Sequence, residues 1–177
     1  MTVDDDPGRA EAAASELVEV VDEEGTVERV VTRAEMRAGR LRHRCTYVVV
    51  LDAADRLIVH QRAAWKDVWP SRWDLAFGGV AGVGEPWLDA AKRELAEEAG
   101  VEAVLRQAGG GPYDDADVSV AGRVFIARHD GPFTVPDGEV VAVERIPLAT
   151  LDALLLERSW CPDSVALAGA ALRPLLG

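Results

Sequence analysis

Three glutamates, Glu94, Glu97 and Glu98, stand at i, i+3 and i+4, so a helix through them gathers three carboxylates on one patch. Like charges so close repel, and Lys92 and Arg93 neutralise them only in part. A solvated acidic face is the plain account of such a cluster. Here, however, a glycine-bounded loop, Gly78 to Gly84, runs straight into the same helix. Hard oxygen ligands of this kind are what Mg²⁺ or Mn²⁺ prefers. The chemistry expected is therefore polarisation of a phosphoryl oxygen, activation of water and neutralisation of a leaving phosphate. Glu94 is the leading candidate for the base.

The elements that must carry these groups are legible. Pro86 suits the first helical position, because its ring fixes φ and its missing N–H has no partner there anyway. Gly100 suits the left-handed residue that ends a helix. Between them Leu88, Ala91, Leu95 and Ala99 form one apolar stripe able to dock on a sheet. Cys45 to Leu51 is a continuous apolar run, the pattern of a central strand covered on both faces. Leu57 to Gln61 returns beside it, and Trp73 to Phe77 delivers the chain into Gly78-Gly79. Leu17 to Val21 and Thr26 to Val31 read as a hairpin, followed by a short helix through Met36 that Thr32 can cap. Val101 to Leu105, Val118 to Arg128 and Val140 to Val143 read as strands, with Gly109-Gly110-Gly111-Pro112 as a flexible loop. Leu148 to Arg158 and Ser164 to Leu176 read as helices.

The motif Gly79-x5-Glu85-x7-Arg93-Glu94-Leu95-x-Glu97-Glu98-x-Gly100-Val101 resembles a complete Nudix box, with every position filled. The resemblance implies an α/β/α sandwich around a central mixed sheet, here with an N-terminal β-hairpin. It also implies a Mg²⁺- or Mn²⁺-dependent pyrophosphohydrolase acting on a nucleoside diphosphate linked to another group. In that family the EE pair binds metal, the glutamate of RE ligates or acts as base, and a backbone carbonyl before the motif completes the coordination. Carried over, these are Glu97, Glu98, Glu94 and Gly78, with Glu85 and Arg93 as an orienting ion pair. A further glutamate from outside the box is expected at Glu139, before the last strand, with Glu144 as second choice.

Leu41-Arg42-His43-Arg44 and Trp69-Pro70-x2-Trp73 also resemble isopentenyl-diphosphate isomerase, which shares the fold, and the bacterial Nudix hydrolases similar to it. The isomerase carries cysteine before the first box glycine and histidine after it. Gly78 and Val80 stand there instead, so hydrolysis is preferred to allylic isomerisation. A binding module that holds a nucleotide without cleaving it is the other alternative, disfavoured by the intact carboxylates. His43 and His60 read as structural histidines.

Arginines at 33, 37, 40, 42 and 44 give a basic run whose forks suit phosphate. Arg62, Lys66 and Arg72 lie in a loop with Trp65, Trp69 and Trp73, residues that also serve as packing anchors. Arg44, Arg62, Lys66 and Trp73 are the candidates to touch substrate. The signatures that mark hydrolases of ADP-ribose, NADH, diadenosine polyphosphates and coenzyme A are absent.

Composition bounds the rest. A chain of 177 residues with 49% hydrophobic content and mean hydropathy near zero suits one domain, here residues 15–177, with residues 1–14 as a disordered acidic leader. Residues 1–24 carry nine acids against Arg9, a net of −8, so the other residues carry −4 of the total −12. This balance disfavours duplex nucleic acid and anionic membranes. A small-molecule diphosphate is the expected partner, with a homodimer left open. No apolar run is long enough to span a bilayer and the start is acidic, so a cytoplasmic location is expected. Cys45 and Cys161 are too few and too arbitrarily spaced for a disulfide framework or zinc site.

Overall fold

The computed structural model describes residues 12–136 and 138–175. The notional leader falls largely outside these, but its described end is ordered: residues 12–15 are helical. Eight strands follow, forming one mixed sheet: β1 (Leu17–Val21), β2 (Val27–Thr32), β3 (His43–Leu51), β4 (Arg56–Arg62), β5 (Trp73–Asp74), β6 (Arg106–Asp114), β7 (Ser119–Arg128) and β8 (Val140–Pro147). The helices are α1 (Arg33–Ala38), α2 (Trp87–Ala99), α3 (Leu151–Glu157) and α4 (Pro162–Leu172). The Thr32 hydroxyl accepts the Glu35 N–H at 3.2 Å, so the hairpin and the capped helix form where their residue types place them.

β3 is the hub. It runs parallel to β7 from His43 to Leu51 but pairs with β4 only at Val50 and Leu51. The two strands of the β3–β4 hairpin then part. Into the gap beside β3 goes the segment Phe77–Ala81, antiparallel, with Val48 N–H donating to Phe77 O at 2.6 Å and Thr46 N–H to Gly79 O at 2.9 Å. The expected strand at Trp73–Phe77 is therefore two pieces, a two-residue β5 on β4 and a bridge at Phe77 on β3. The glycine loop is thus fastened to the central strand by backbone hydrogen bonds.

Apolar layers cover both faces. On one, Val48, Val50, Ile58, Phe77, Phe125 and Ala127 meet Ala91, Leu95 and Ala99 of α2. On the other, Tyr47, Val49, Leu57, Val59 and Leu75 meet Leu151, Trp160, Ala168 and Leu172 from the C-terminal helices. Alternation along β3 sends successive residues to opposite layers, which is why this run is apolar throughout. The α2 stripe is shifted by one residue at its start: Leu88 is 40% exposed, and Trp87 packs inward instead. Pro86 sits one position earlier than expected, at the N-cap with ψ 142°, and Gly100 ends the helix at φ 66°.

Two readings on the far side of α2 are corrected. Residues 101–105 form no strand, and the glycine run belongs to β6, paired along β7. β6 pairs with no other strand, so it is an edge where Pro112 costs no ladder hydrogen bond. Gly110 lets it lie close to β7, since a Cβ there would stand 2.4 Å from Gly122 O. Leu148–Thr150 is a 3-10 turn ahead of α3, and α4 begins at Pro162 rather than Ser164. No described helix is long and apolar enough to cross a membrane.

Candidate active site

Helix α2 places its carboxylates at the wrong end for its own stability. Glu97 and Glu98 lie in the last turn, which holds no basic residue, so the negative end of the helix dipole adds to their mutual repulsion. A local rule broken this way marks a functional position.

Each carboxylate has a resident partner. The Arg93 guanidinium spans Glu85 with two bonds, Nε to Oε1 at 2.9 Å and Nη2 to Oε2 at 3.0 Å. Its Nη1 donates to Glu94 at 2.8 Å and Glu97 at 3.0 Å. This is the orienting pair expected of Glu85 and Arg93, and Glu85 also accepts the Gly82 N–H at 2.8 Å, so loop and helix are tied through one fork. Glu98 is 2% exposed and accepts the Gly78 N–H at 2.8 Å. Glu139 accepts from Lys66. Among the described residues no three His, Cys, Asp or Glu converge as a finished metal-ligand set. Arg93 holds Glu94 and Glu97, while Glu98 is held by the Gly78 N–H.

The electrostatics nonetheless call for more positive charge. Burial, with repulsion from Glu97 and Glu139, outweighs Arg93 and lifts the Glu94 carboxyl to about 7. Burial and the nearby Glu94 push Glu98 well above the usual carboxylate range, despite Lys66, Arg62 and the Gly78 N–H. Acceptor-only oxygens from Glu94, Glu97, Glu98 and Glu139, with the Gly78 carbonyl at hand, suit a hard divalent cation, and Lys66 is the cation already among them. The donor set fits the metal.

The glycines are steric necessities. A Cβ at Gly78 would lie 1.9 Å from the Thr46 carbonyl oxygen, and one at Gly79 would lie 2.7 Å from a Glu94 oxygen. Gly78→Ala should therefore lever the loop off β3, costing about 3 kcal/mol in urea unfolding. A midpoint equal to wild type would show that the loop is not wedged there.

A cavity of about 250 Å³ opens beside these residues. Gly78, Glu94, Glu97, Arg93 and Glu139 line it, as do Arg62 and Lys66. Glu98 lies behind this wall, under the Gly78 amide. Two substrate candidates are placed elsewhere. Arg44 is 8% exposed, bonds Glu19 at 2.8 Å and the Glu85 carbonyl at 2.7 Å, and stacks on Trp87. It braces the hairpin against the box. Trp73 packs on Trp160 and under Arg158, the anchoring use of a tryptophan. Glu144 pairs with Arg158 outside the cavity, whereas Glu139 and Glu16, both from beyond the box, line it.

Sequence reasoning missed the inner wall. Tyr47 donates to Asp163 at 2.8 Å, and Asp74 and Cys161 stand near it. Burial and Asp74 raise the Asp163 carboxyl to about 6. The available signal was a tyrosine inside an otherwise aliphatic central strand. His43 contacts the Leu41 carbonyl at 3.0 Å, the structural role expected of it.

A glycine loop wedged on a central strand and locked by an Arg–Glu fork to a carboxylate helix defines a phosphate-handling hydrolase site. Comparison with known proteins gives the same class. The NUDIX domain family model matches residues 41–166. A Nudix hydrolase of Pseudomonas aeruginosa is 37% identical over 157 residues, 87% of this chain and 92% of its own. The Nudix hydrolase YfcD of Escherichia coli is 37% identical over 132 residues, 74% of this chain and 73% of its own. Among solved structures, a protein of Deinococcus radiodurans superposes with TM-score 0.72 at 20% identity, covering 89% of this chain and 98% of its own. The NUDIX domain of Shewanella oneidensis NrtR, solved with ADP-ribose, gives 0.61 at 18% identity, covering 83% and 100%. The chain belongs to the Nudix family and is a Nudix pyrophosphohydrolase.

Proposed function

We propose that this chain uses Mg²⁺ or Mn²⁺ to hydrolyse the diphosphate bond of a nucleoside diphosphate linked to a second group. The observation that carries this reading is the buried, mutually repelling pair Glu94 and Glu98 against the Gly78 backbone. Glu94, Glu97, Glu98, Glu139 and the Gly78 carbonyl would hold the metal, which supplies Lewis acidity when bound. Glu94 takes the proton from the attacking water through its carboxylate oxygens. Arg93 aims Glu94 while Glu85 fixes Arg93. Arg62 and Lys66 meet the substrate's anionic oxygens.

Residues 15–177 would act as one unit, because the cavity draws its walls from β1's flank to α4. The ligand is a small-molecule diphosphate, a reading that a cavity of about 250 Å³ supports. The decisive experiment is a screen over nucleotide sugars, dinucleotides, nucleoside triphosphates and prenyl diphosphates, with Mg²⁺, with Mn²⁺ and with chelator, in which a phosphatase added after the reaction is stopped releases phosphate from the monoester products. Turnover that vanishes on chelation and returns with either ion is expected. Turnover indifferent to chelator would overturn the metal assignment.

A further inference from the structure

The family match begins at residue 41, yet the cavity wall includes Ala13, Glu16, Arg33 and Arg37. Part of the cavity wall is therefore made by the segment ahead of β1 and by α1. Two guanidiniums stand on that part, together with Lys66 from the 63–72 loop.

These arginines differ in kind from Arg44. The Arg44–Glu19 pair is shut away, with side chains 9% and 8% exposed. Arg37 meets Asp67 through Nε at 2.9 Å, and Arg33 meets Glu16 through Nη1 at 3.1 Å. There the carboxylates are the outward members, at 45% and 47% exposure, while the guanidiniums are at 24% and 21%. Pairs with half-exposed carboxylates are worth only about 0–1 kcal/mol, so an incoming anion exchanges with them at little cost. Against the upward push of burial, Arg37 and Arg33 keep the Asp67 carboxyl low, so Asp67 is a carboxylate at neutral pH and the anion that an incoming group must replace on Arg37. Arg33 and Arg37 share this one cavity with Glu94 and Glu97 of the carboxylate helix.

We propose that Arg33 and Arg37 form an anion subsite for a second charged group of the substrate, a phosphate monoester or carboxylate outside the scissile diphosphate. The proposal rests on the reading of this cavity as the diphosphate site. It narrows the substrate class to diphosphates with an additional anionic centre.

Matched pairs test it by isothermal calorimetry in chelator, where turnover does not consume the titrant: UDP-glucuronate against UDP-glucose for a carboxylate, and ADP-ribose 2′-phosphate against ADP-ribose for a phosphate. Wild type should bind the more anionic member of at least one pair about tenfold more tightly, and which pair responds tells the two anions apart. A chain of net charge −12 with an acidic cavity would otherwise disfavour added negative charge. Arg37→Gln should erase that preference and leave the less anionic member's Kd unchanged, whereas Arg40→Gln, which loses a pair with Asp114 outside the cavity, should leave the preference and both Kd values unchanged. Equal weakening of both members by Arg37→Gln, or no preference in wild type, would overturn the subsite. Because the readout is binding, absence of turnover in the release screen would count against hydrolysis of these diphosphates without deciding the subsite. The wild-type comparison also needs no variant to fold.

Discussion

Glu98→Gln is expected to lower kcat by at least about a thousandfold while raising the stability of the metal-free protein. The activity loss follows from removing a negative oxygen where positive charge must be held, a change in the range seen when a preorganised electrostatic contact is deleted. The stability gain follows from the same burial. Glu98 is 2% exposed and its carboxyl is pushed above the ordinary range by burial and by Glu94. A carboxyl raised in the folded state stabilises it most below the unfolded value, and that contribution fades as pH rises through the folded one. At neutral pH this buried carboxyl is thus a burden that neutral glutamine lifts, while the glutamine carbonyl still accepts the Gly78 N–H. Steady-state kinetics and urea unfolding in chelator, run on the same preparations, read both. A variant within tenfold of wild-type kcat would remove Glu98 from the site.

The second large effect concerns His60. This side chain is 1% exposed, lies 4.5 Å from Phe77 in a near-parallel stack, and both ring nitrogens lack hydrogen-bond partners among the described residues. Burial, reinforced by Arg62 and Lys66 against Asp74, lowers it from 6.5 to about 4. A histidine lowered in the folded state contributes its full share above pH 6.5, and loses it as pH falls from 6.5 through 4. At 1.36 kcal/mol per unit, that share is about 3 kcal/mol over the whole range and about 2 kcal/mol by pH 5. His60→Phe keeps the ring against Phe77 and has nothing to protonate. Its stability relative to wild type should improve by about 2 kcal/mol between pH 7.5 and pH 5 in urea unfolding. Parallel pH profiles would show that His60 titrates alike in the folded and unfolded states, and the burial argument would fail.

Much of the architecture could be read from residue types because local and tertiary demands agree. The apolar run of β3, the Thr32 cap, the Gly100 terminus and the Glu85–Arg93 fork all sit where the sequence places them. The departures share one cause, that long-range pairing overrides local preference. Gly109 to Pro112 looks like a loop by composition, but β7 supplies a full partner and the edge forgives the proline. Arg44 looks like a phosphate fork, yet only the fold shows Glu19 closing over it. Arg33 and Arg37, four residues apart on one short helix, keep to the cavity, whereas Arg40 and Arg42 turn to Asp114. Nothing in a basic run tells its members apart, because the acids that sort them come from β6 and from the 63–72 loop.

Glu19 accepts from Arg44 with one oxygen and from the Gly84 N–H with the other. A single carboxylate of the first strand therefore holds both the guanidinium stacked on Trp87 and the last glycine before the helix. Inheritance of the opening hairpin and of the glycine turn is coupled through that one side chain. A hairpin borrowed from a relative must bring an acid at the same place, or the turn it meets must dispense with its arginine.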